Sequence, residues 1–134
     1  MAIIFDGIDD GINCGTADIW TENGAVSAYI RLNLTALPGA GTNFKLIFRE
    51  GTGAVDLRIR DSGALQFSID STAGLTDFLV ITTTTLSIST EYSIVLTWDG
   101  STTATNLHIY INGTEATYGT QDNGLNLLDN SGAT

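Results

Sequence analysis

Three aspartates near the amino terminus are the first residues whose types and spacing could do chemistry. Asp6, Asp9 and Asp10 share the stretch FDGIDDGINCG with three glycines. An EF-hand calcium loop needs ligands at alternate positions and a glutamate at its twelfth position, where this chain has Ala17. Asp-Gly pairs favour turns, because the carboxylate caps nearby backbone and glycine accepts a positive φ. We expect a turn between two strands and no cofactor; the alternative is a calcium ion held by one or two of these aspartates.

The glutamates and the single histidine do not form a recognisable catalytic set. A retaining glycoside hydrolase needs two carboxylates about 5 Å apart, which in a β protein would lie along one strand. No glutamate has an acidic partner two or four positions away on the same predicted strand; the four are Glu22, Glu50, Glu91 and Glu115. His108 lies on the outward side of a predicted strand, with no serine and aspartate that the sequence can pair to it. We therefore expect a protein that is not an enzyme.

The composition narrows the classes of partner. The formal net charge is −10, and an acidic surface repels phosphate backbones, so we expect no nucleic-acid binding. No apolar run approaches the roughly 20 residues that span a bilayer, so we expect no membrane partner. The start MAIIFDGIDD lacks the basic and apolar regions of a signal peptide, and the single cysteine, Cys14, excludes an internal disulfide. We expect one folded domain, residues 1–134, with a sizeable core.

The few basic residues are clustered in the sequence. All five lie between positions 31 and 60: Arg31, Lys45, Arg49, Arg58 and Arg60. The last four fall on two predicted neighbouring strands and alternate away from the core. We expect them to form one positive patch that docks an acidic partner surface, with a neighbouring copy of the chain as one such partner. The alternative is local pairing of these side chains with acids such as Asp56 or Asp70.

Alternation of apolar and polar residues predicts the elements that must position these groups. Period-two runs are typical of half-buried strands, and they occur in VSAYIRLNLT, FKLIFR, VDLRIR, LQFSID, YSIVLTW and LHIYIN. In FKLIFR the pattern sets Phe44, Leu46 and Phe48 against Lys45, Ile47 and Arg49. Turn signals separate the runs, and no segment has convincing helical spacing. The sequence predicts an all-β, antiparallel two-sheet sandwich of the jelly-roll type.

One hairpin can be specified in detail. The pair Asn112-Gly113 is favoured by two-residue type I′ turns. Such a loop predicts three cross-strand pairs: Tyr110 with Glu115, Ile109 with Ala116, and His108 with Thr117. The register places Ile109, Ile111 and Ala116 on the core face, so the turn and the hydrophobic pattern agree.

The chain resembles a known superfamily at three of these stretches. FDGIDDGINCG, the strand GAVSAYIRL and the later YSIVLTWDGSTTATNLHIYINGTEA are similar to the laminin-G-like branch of the concanavalin A-like lectin/glucanase superfamily, over roughly residues 3–118. The resemblance implies the sandwich fold and permits calcium, because some laminin-G-like modules bind it. Many phage structural proteins carry such modules. The superfamily also includes retaining glycoside hydrolases, but the pair of carboxylates that those enzymes need is not found in this sequence.

Two non-enzymatic functions follow as expectations. The first is a virion subunit on a phage surface, as a decoration or tail-associated protein, which places the protein on a virion or outside the cell. The second is a lectin-like module that binds a carbohydrate or a protein. Sugar recognition needs exposed aromatic rings and nearby amides. The candidates are Tyr29, Tyr110 and Trp20, with Asn33, Asn106 and Asn112. Trp98 shares a face with Ile94 and Leu96 and is expected in the core.

The carboxyl-terminal segment raises a question about oligomers. After Tyr118, GTQDNGLNLLDNSGAT has one apolar cluster, enough for a single short strand. The resemblance implies two strands there, the last of which closes the sandwich beside the amino-terminal strand. We expect that closing strand to be missing and the exposed edge to meet a second chain, in a homo-oligomer or a larger virion assembly. The residues involved are Ile3, Ile4, Phe5, Leu125 and Leu128. The alternative is a sequence that stops short of the remaining strands.

Overall fold

The computed structural model describes residues 25–49, 55–69 and 77–124. Several residues with predicted roles lie outside these ranges: Ile3, Ile4, Phe5, Asp6, Asp9, Asp10, Cys14, Trp20, Asp70, Leu125 and Leu128. The predicted aspartate turn or calcium site and the predicted oligomer edge therefore stay predictions.

The described part of the chain forms a two-sheet antiparallel β-sandwich. Its strands are β1 (Val26–Asn33), β2 (Asn43–Arg49), β3 (Val55–Arg60), β4 (Ala64–Ile69), β5 (Phe78–Thr85), β6 (Glu91–Trp98), β7 (Leu107–Ile111), β8 (Thr114–Glu115) and β9 (Tyr118–Asp122). One sheet has the order β1-β6-β7-β8, and the other has the order β2-β3-β4-β5-β9. The predicted fold class is confirmed.

The core lies between the two sheets and is built by the predicted alternation. In β3 and β4 the inward side chains are almost fully buried, as are those of β6 and β7. Three aromatic rings from both sheets meet at its centre. The Phe67 and Phe78 ring centroids are 6.0 Å apart in an edge-to-face arrangement, and the Trp98 ring lies 6.1 Å from the first and 5.7 Å from the second. Because Trp98 belongs to β6 and the two phenylalanines to the other sheet, these contacts hold the sheets together.

One predicted alternation is wrong, in β2. Lys45 pairs with Arg58, but Ile47 pairs with Leu57, and the register shifts between them. This shift is a β-bulge, in which an extra residue moves every later position to the opposite face. Ile47, predicted to point away from the core, packs against it instead.

The Asn-Gly hairpin forms as predicted at its turn. Asn112 and Gly113 both have positive φ, 52° and 81°, as a type I′ turn requires. The register pairs Tyr110 with Glu115, and the Ala116 amide donates to the Ile109 carbonyl at 2.8 Å.

Beyond Ala116 the predicted hairpin register fails. Thr117 does not pair with His108, because the chain crosses here to the other sheet. The Thr83 amide donates to the Thr117 carbonyl at 2.7 Å, and the Thr117 amide donates to Thr84 Oγ1 at 3.1 Å. Strand β9 follows and pairs with β5. The hydrophobic pattern predicts a strand after Tyr118 only around Leu125 and Leu128, so strand β9 is not predicted from the sequence.

Helical structure is almost absent from the ranges described above. A 3₁₀ turn, Ala104–Asn106, precedes β7. No helix within those ranges has the length and apolar character needed to cross a membrane.

Candidate functional site

The outward residues of the four-stranded sheet include two tyrosines, Tyr29 and Tyr110; we call this surface the tyrosine face. It comprises Ser27, Tyr29, Arg31, Val95, Thr97, His108 and Tyr110. Tyr29 pairs with Val95, and Val95 pairs with Tyr110, so the three side chains form one row. The two tyrosines are two strand spacings apart, about 10 Å. Tyr29 is 65% exposed, whereas Val95 and Tyr110 are half-buried, so a partner would reach the row first at Tyr29.

An ion pair lies on one side of this row. Arg31 Nη2 contacts Glu91 Oε1 at 2.5 Å, between β1 and β6, and both side chains are mostly exposed. The hydrogen bond to Glu91 and its charge raise the pKa of Arg31 above its ordinary value. Arg31 belongs to β1 in the four-stranded sheet, whereas Lys45, Arg58 and Arg60 belong to the five-stranded sheet. The sequence cluster of basic residues is divided between two faces of the molecule.

A second ionisable group lies on the other side of the row. His108 Nδ1 is 2.7 Å from Glu115 Oε1, and the ring centroids of His108 and Tyr110 are 6.4 Å apart. This hydrogen bond lowers the pKa of Glu115 below its ordinary value. The sequence assigned His108 no partner, although the predicted hairpin register places Glu115 diagonally across from it. Such diagonal neighbours on one sheet face are within reach of long side chains.

Tyr118 connects this face to the other sheet. Its hydroxyl accepts a hydrogen bond from the Ile109 amide at 2.8 Å and donates to Glu115 Oε1 at 3.3 Å. Burial raises the pKa of Tyr118 to about 12. Because Tyr118 begins β9 and Ile109 belongs to β7, this bond joins the two sheets where the chain crosses between them.

A shallow, largely open cleft of about 480 Å³ lies at the end of the tyrosine face. Its lining residues come from the start of β1, the end of β6 and the start of β7: Ala25, Val26, Ser27, Thr97, Trp98, Asp99, Asn106 and His108. The sequence did not reveal this cleft, because its wall combines three segments that are distant in the chain. Polar groups and one indole ring meet in it, as in sites that bind small polar ligands.

The Trp-Asp-Gly-Ser motif shapes the wall of that cleft. Asp99 accepts hydrogen bonds from the Ser101 amide at 2.9 Å and from Asn106 Nδ2 at 2.7 Å. Hydrogen bonds from the side chain and the amide of Ser101, together with that from Asn106, lower the pKa of Asp99. Gly100 has a φ of 82°, and Trp98 Nε1 donates to the Ser101 carbonyl at 3.0 Å. The motif is thus a self-bonded loop that fixes the position of Asn106.

The three predicted amides are not brought together. Asn106 lies at the cleft, near the end of β6, whereas Asn33 pairs with Glu91 at the start of that strand. Asn112 Oδ1 accepts from the Ser93 amide at 2.9 Å, which ties the hairpin tip to β6. Only Asn106 remains a candidate for ligand contact at the cleft.

The other basic residues lie on the outward side of the five-stranded sheet; we call this surface the basic face. It comprises Lys45, Asp56, Arg58, Arg60, Gln66 and Ser68. Arg58 makes a two-pronged ion pair with Asp56: Nε to Oδ1 at 2.7 Å, and Nη2 to Oδ2. Ser68 Oγ donates to Asp56 Oδ1 at 3.0 Å. Local pairing with Asp56, the alternative that the sequence left open, is present for Arg58.

The bulge in β2 also affects the predicted four-residue patch. Lys45 stands opposite Arg58, but Arg49 stands opposite Val55, whose side chain is buried in the core. The bulge interrupts the strict alternation along β2, and the place of Arg49 in the predicted patch stays a prediction. Lys45, Arg58 and Arg60 keep their common face.

Candidate metal ligands do not cluster in the part of the chain that the structure covers. No group of three histidine, cysteine, aspartate or glutamate side chains comes together among those residues. The three amino-terminal aspartates lie outside the described residues, so calcium binding by them stays a prediction.

Comparison with known proteins shows the family. A laminin G-type model of the concanavalin A-like lectin/glucanases superfamily matches residues 6–133. No curated protein matches the chain, and no solved structure does. The chain therefore belongs to the concanavalin A-like lectin/glucanases superfamily, within its laminin G-type branch.

Proposed function

We propose that this laminin G-type chain is a non-enzymatic interaction subunit that contacts a protein partner through its tyrosine face. The observation that carries the proposal is the outward row of Tyr29, Val95 and Tyr110, in which Tyr29 is exposed and the other two are half-buried. Tyrosines are enriched at protein interfaces, because a large rigid ring gives contact area and its hydroxyl still finds a polar partner. A face of this kind suits a subunit of a homo-oligomer or of a larger assembly.

The absence of catalysis is part of the proposal. Two glutamates border the tyrosine face, and each is bonded to a basic side chain: Glu91 to Arg31, and Glu115 to His108. Retaining glycoside hydrolysis needs one carboxylate to donate a proton and the other to act as a nucleophile. A depressed pKa, as at Glu115, keeps a carboxylate ionised and unsuited to proton donation.

The assembly that fits best is a virion. Laminin-G-like modules are carried by many phage structural proteins, and a small sandwich without internal disulfides suits repeated copies on a particle. The subunit would act at the virion surface, as a decoration or tail-associated protein.

The test uses particles purified from cultures that produce this chain. Quantitative mass spectrometry should find the chain in fixed proportion to the major particle protein. The Tyr29→Ser variant should be depleted from particles, whereas Ile88→Ser should be retained. Ile88 is the matched control, because it is also a large exposed apolar residue, 51% exposed, but lies in the loop before β6. Equal incorporation of both variants would rule out the tyrosine face as the surface that contacts the particle.

A second candidate function is carbohydrate binding at the cleft. Its hydroxyl, amide and imidazole groups, on Ser27, Thr97, Asn106 and His108, are able to bond sugar hydroxyls, and Tyr110 lies beside His108. A glycan array provides the test. Thr97→Val keeps the side-chain shape but removes a hydroxyl from the cleft, so it should abolish any reproducible signal. Thr85→Val, at the end of β5, should leave it intact, and an array without a signal would exclude this function.

A further inference from the structure

A smaller cleft, of about 160 Å³, lies at one end of the basic face. It is on the opposite sheet from the tyrosine face. Its lining residues come from the start of β2, from β3 with the turn that follows it, and from β4: Gly41, Thr42, Asn43, Arg58, Arg60, Asp61 and Gln66. The proposed function makes no use of this cleft.

The two arginines in the cleft differ in how they are bonded. Arg58 is committed to Asp56, and its Nη2 also lies 3.3 Å from Ser68 Oγ. Arg60 is half-buried, and within the described ranges its side chain makes no hydrogen bond or ion pair. A half-buried guanidinium retains five donors in a planar fork, which matches the two oxygens of a carboxylate.

The sheet register surrounds Arg60 with further donors. Asn43 stands opposite Arg60, and Gln66 stands opposite Arg58 on the next strand. Two guanidinium groups and two side-chain amides thus share one end of the face. An anion entering the cleft would find charge from Arg60 and hydrogen-bond donors on two sides.

Asp61 at the rim indicates which anion fits. Its Oδ2 accepts a hydrogen bond from the Gly41 amide at 2.9 Å, and this bond lowers the pKa of Asp61. The carboxylate therefore stays ionised and fixes the loop before β2. The charge of Arg60 also lowers the pKa of Asp61, so these two groups interact and the net charge beside the cleft is small. A small net charge suits a singly charged carboxylate better than a doubly charged phosphate, which is costlier to desolvate.

We propose that this cleft binds a carboxylate side chain of an acidic polypeptide partner. Charge complementarity supports that occupant: the chain has a formal net charge of −10, yet Lys45 and Arg60 share this face with Arg58, whose charge is balanced by Asp56. Such complementarity steers a partner and fixes its orientation. This site is independent of the tyrosine face, so its failure would leave the proposed function standing.

The experiment is an NMR titration of the isotope-labelled chain with an oligoglutamate peptide. The amide resonances of Asn43, Arg60 and Gln66 should shift, and added salt should weaken the binding. Arg60→Gln should weaken it by about threefold or more, as expected for the loss of one partly exposed charge pair. Arg31→Gln is the matched control, because it removes the same charge from the other sheet and should leave the affinity unchanged.

Three results would overturn the proposal. The first is equal affinity of the Arg60→Gln and Arg31→Gln variants. The second is a shift of the same resonances by glucuronate but not by oligoglutamate, which would assign the cleft to an acidic sugar. The third is displacement of the peptide by inorganic phosphate at an equal concentration. Circular dichroism of both variants verifies the fold.

Discussion

The two sheets each carry an arginine–carboxylate pair on the outward face, but in different surroundings. On the tyrosine face, the side chains of Arg31 and Glu91 are 65% and 59% exposed. On the basic face, those of Arg58 and Asp56 are 23% and 9% exposed. The first pair is made between two strands, and the second within one strand. Both pairs join a guanidinium to a carboxylate, and their largest difference is the degree of burial.

Burial changes what each pair does for the protein. An exposed pair is solvated and screened by salt, and so it contributes little to stability. A buried pair has lost its hydration, and removal of one partner leaves the other charged in a poorly solvated place. The tyrosine face can therefore exchange its ionic contacts for those of a partner, whereas the Arg58–Asp56–Ser68 cluster is fixed in the fold.

The largest predicted effect follows from breaking the buried pair. Arg58→Met keeps most of the apolar stem but leaves the Asp56 carboxylate with only Ser68 as a described partner. The free energy of unfolding should fall by roughly 2–3 kcal/mol, somewhat less than for a fully enclosed pair. Urea denaturation followed by circular dichroism measures this loss, with an unchanged slope as evidence of the same transition.

A double variant sharpens that prediction. Asp56→Leu together with Arg58→Met removes both charges, so no carboxylate remains unpaired. Most of the lost stability should return, because apolar residues of similar volume often replace a buried pair without cost. If the double variant were as unstable as the single one, shape and not charge would explain the effect.

A smaller, pH-dependent effect is expected where the two sheets meet, at Tyr118. Its pKa is raised from 10.0 to about 12 in the folded protein. A group whose folded pKa is raised stabilises the fold fully below its unfolded pKa, and this contribution is lost as the pH rises through the folded value. Unfolding experiments should therefore show stability falling between about pH 10 and pH 12.

Removal of the Tyr118 hydroxyl tests its contribution to stability. Tyr118→Phe should be less stable at neutral pH, because the Ile109 amide loses its acceptor, and its stability should decline less at alkaline pH. Tyr92→Phe is the control: the Tyr92 hydroxyl also accepts a backbone bond, from Ser87 at 2.9 Å, but it does not join the two sheets. An alkaline decline that persists unchanged in Tyr118→Phe would assign it to other groups.

The sequence predicted most of the sandwich because its central strands alternate strictly. β3, β4, β6 and β7 each direct one apolar face into the core, and the burial of that face fixes their register. The errors fall where backbone geometry overrides the pattern. The bulge that turns Ile47 inward has no mark in the sequence. Strand β9 is polar, YGTQD, and is held by backbone pairing with β5, which hydrophobic periodicity cannot detect.

The sites were less predictable than the fold, for a related reason. The outward direction of Tyr29 and Tyr110 follows from alternation, and their common row follows only from the strand order β1-β6-β7. Arg31 is near the other basic residues in sequence, but it belongs to the four-stranded sheet, whereas Lys45, Arg58 and Arg60 belong to the five-stranded sheet. Both clefts combine residues from three segments, so neither is visible until the chain is folded.

The smallest predicted effect is at the exposed pair. Arg31→Gln should leave the urea midpoint unchanged within error, and so should Glu91→Gln, because water solvates whichever partner remains. Both variants should also have equal stability at low and high salt, whereas Arg58→Met should stay destabilised at either, since salt screens buried charges poorly. Denaturation of the three variants in parallel provides the measurement. A loss in Arg31→Gln as large as that in Arg58→Met would mean that burial does not separate the two faces. An unchanged Arg31→Gln variant would leave that pair free to be given up when a partner covers the tyrosine face.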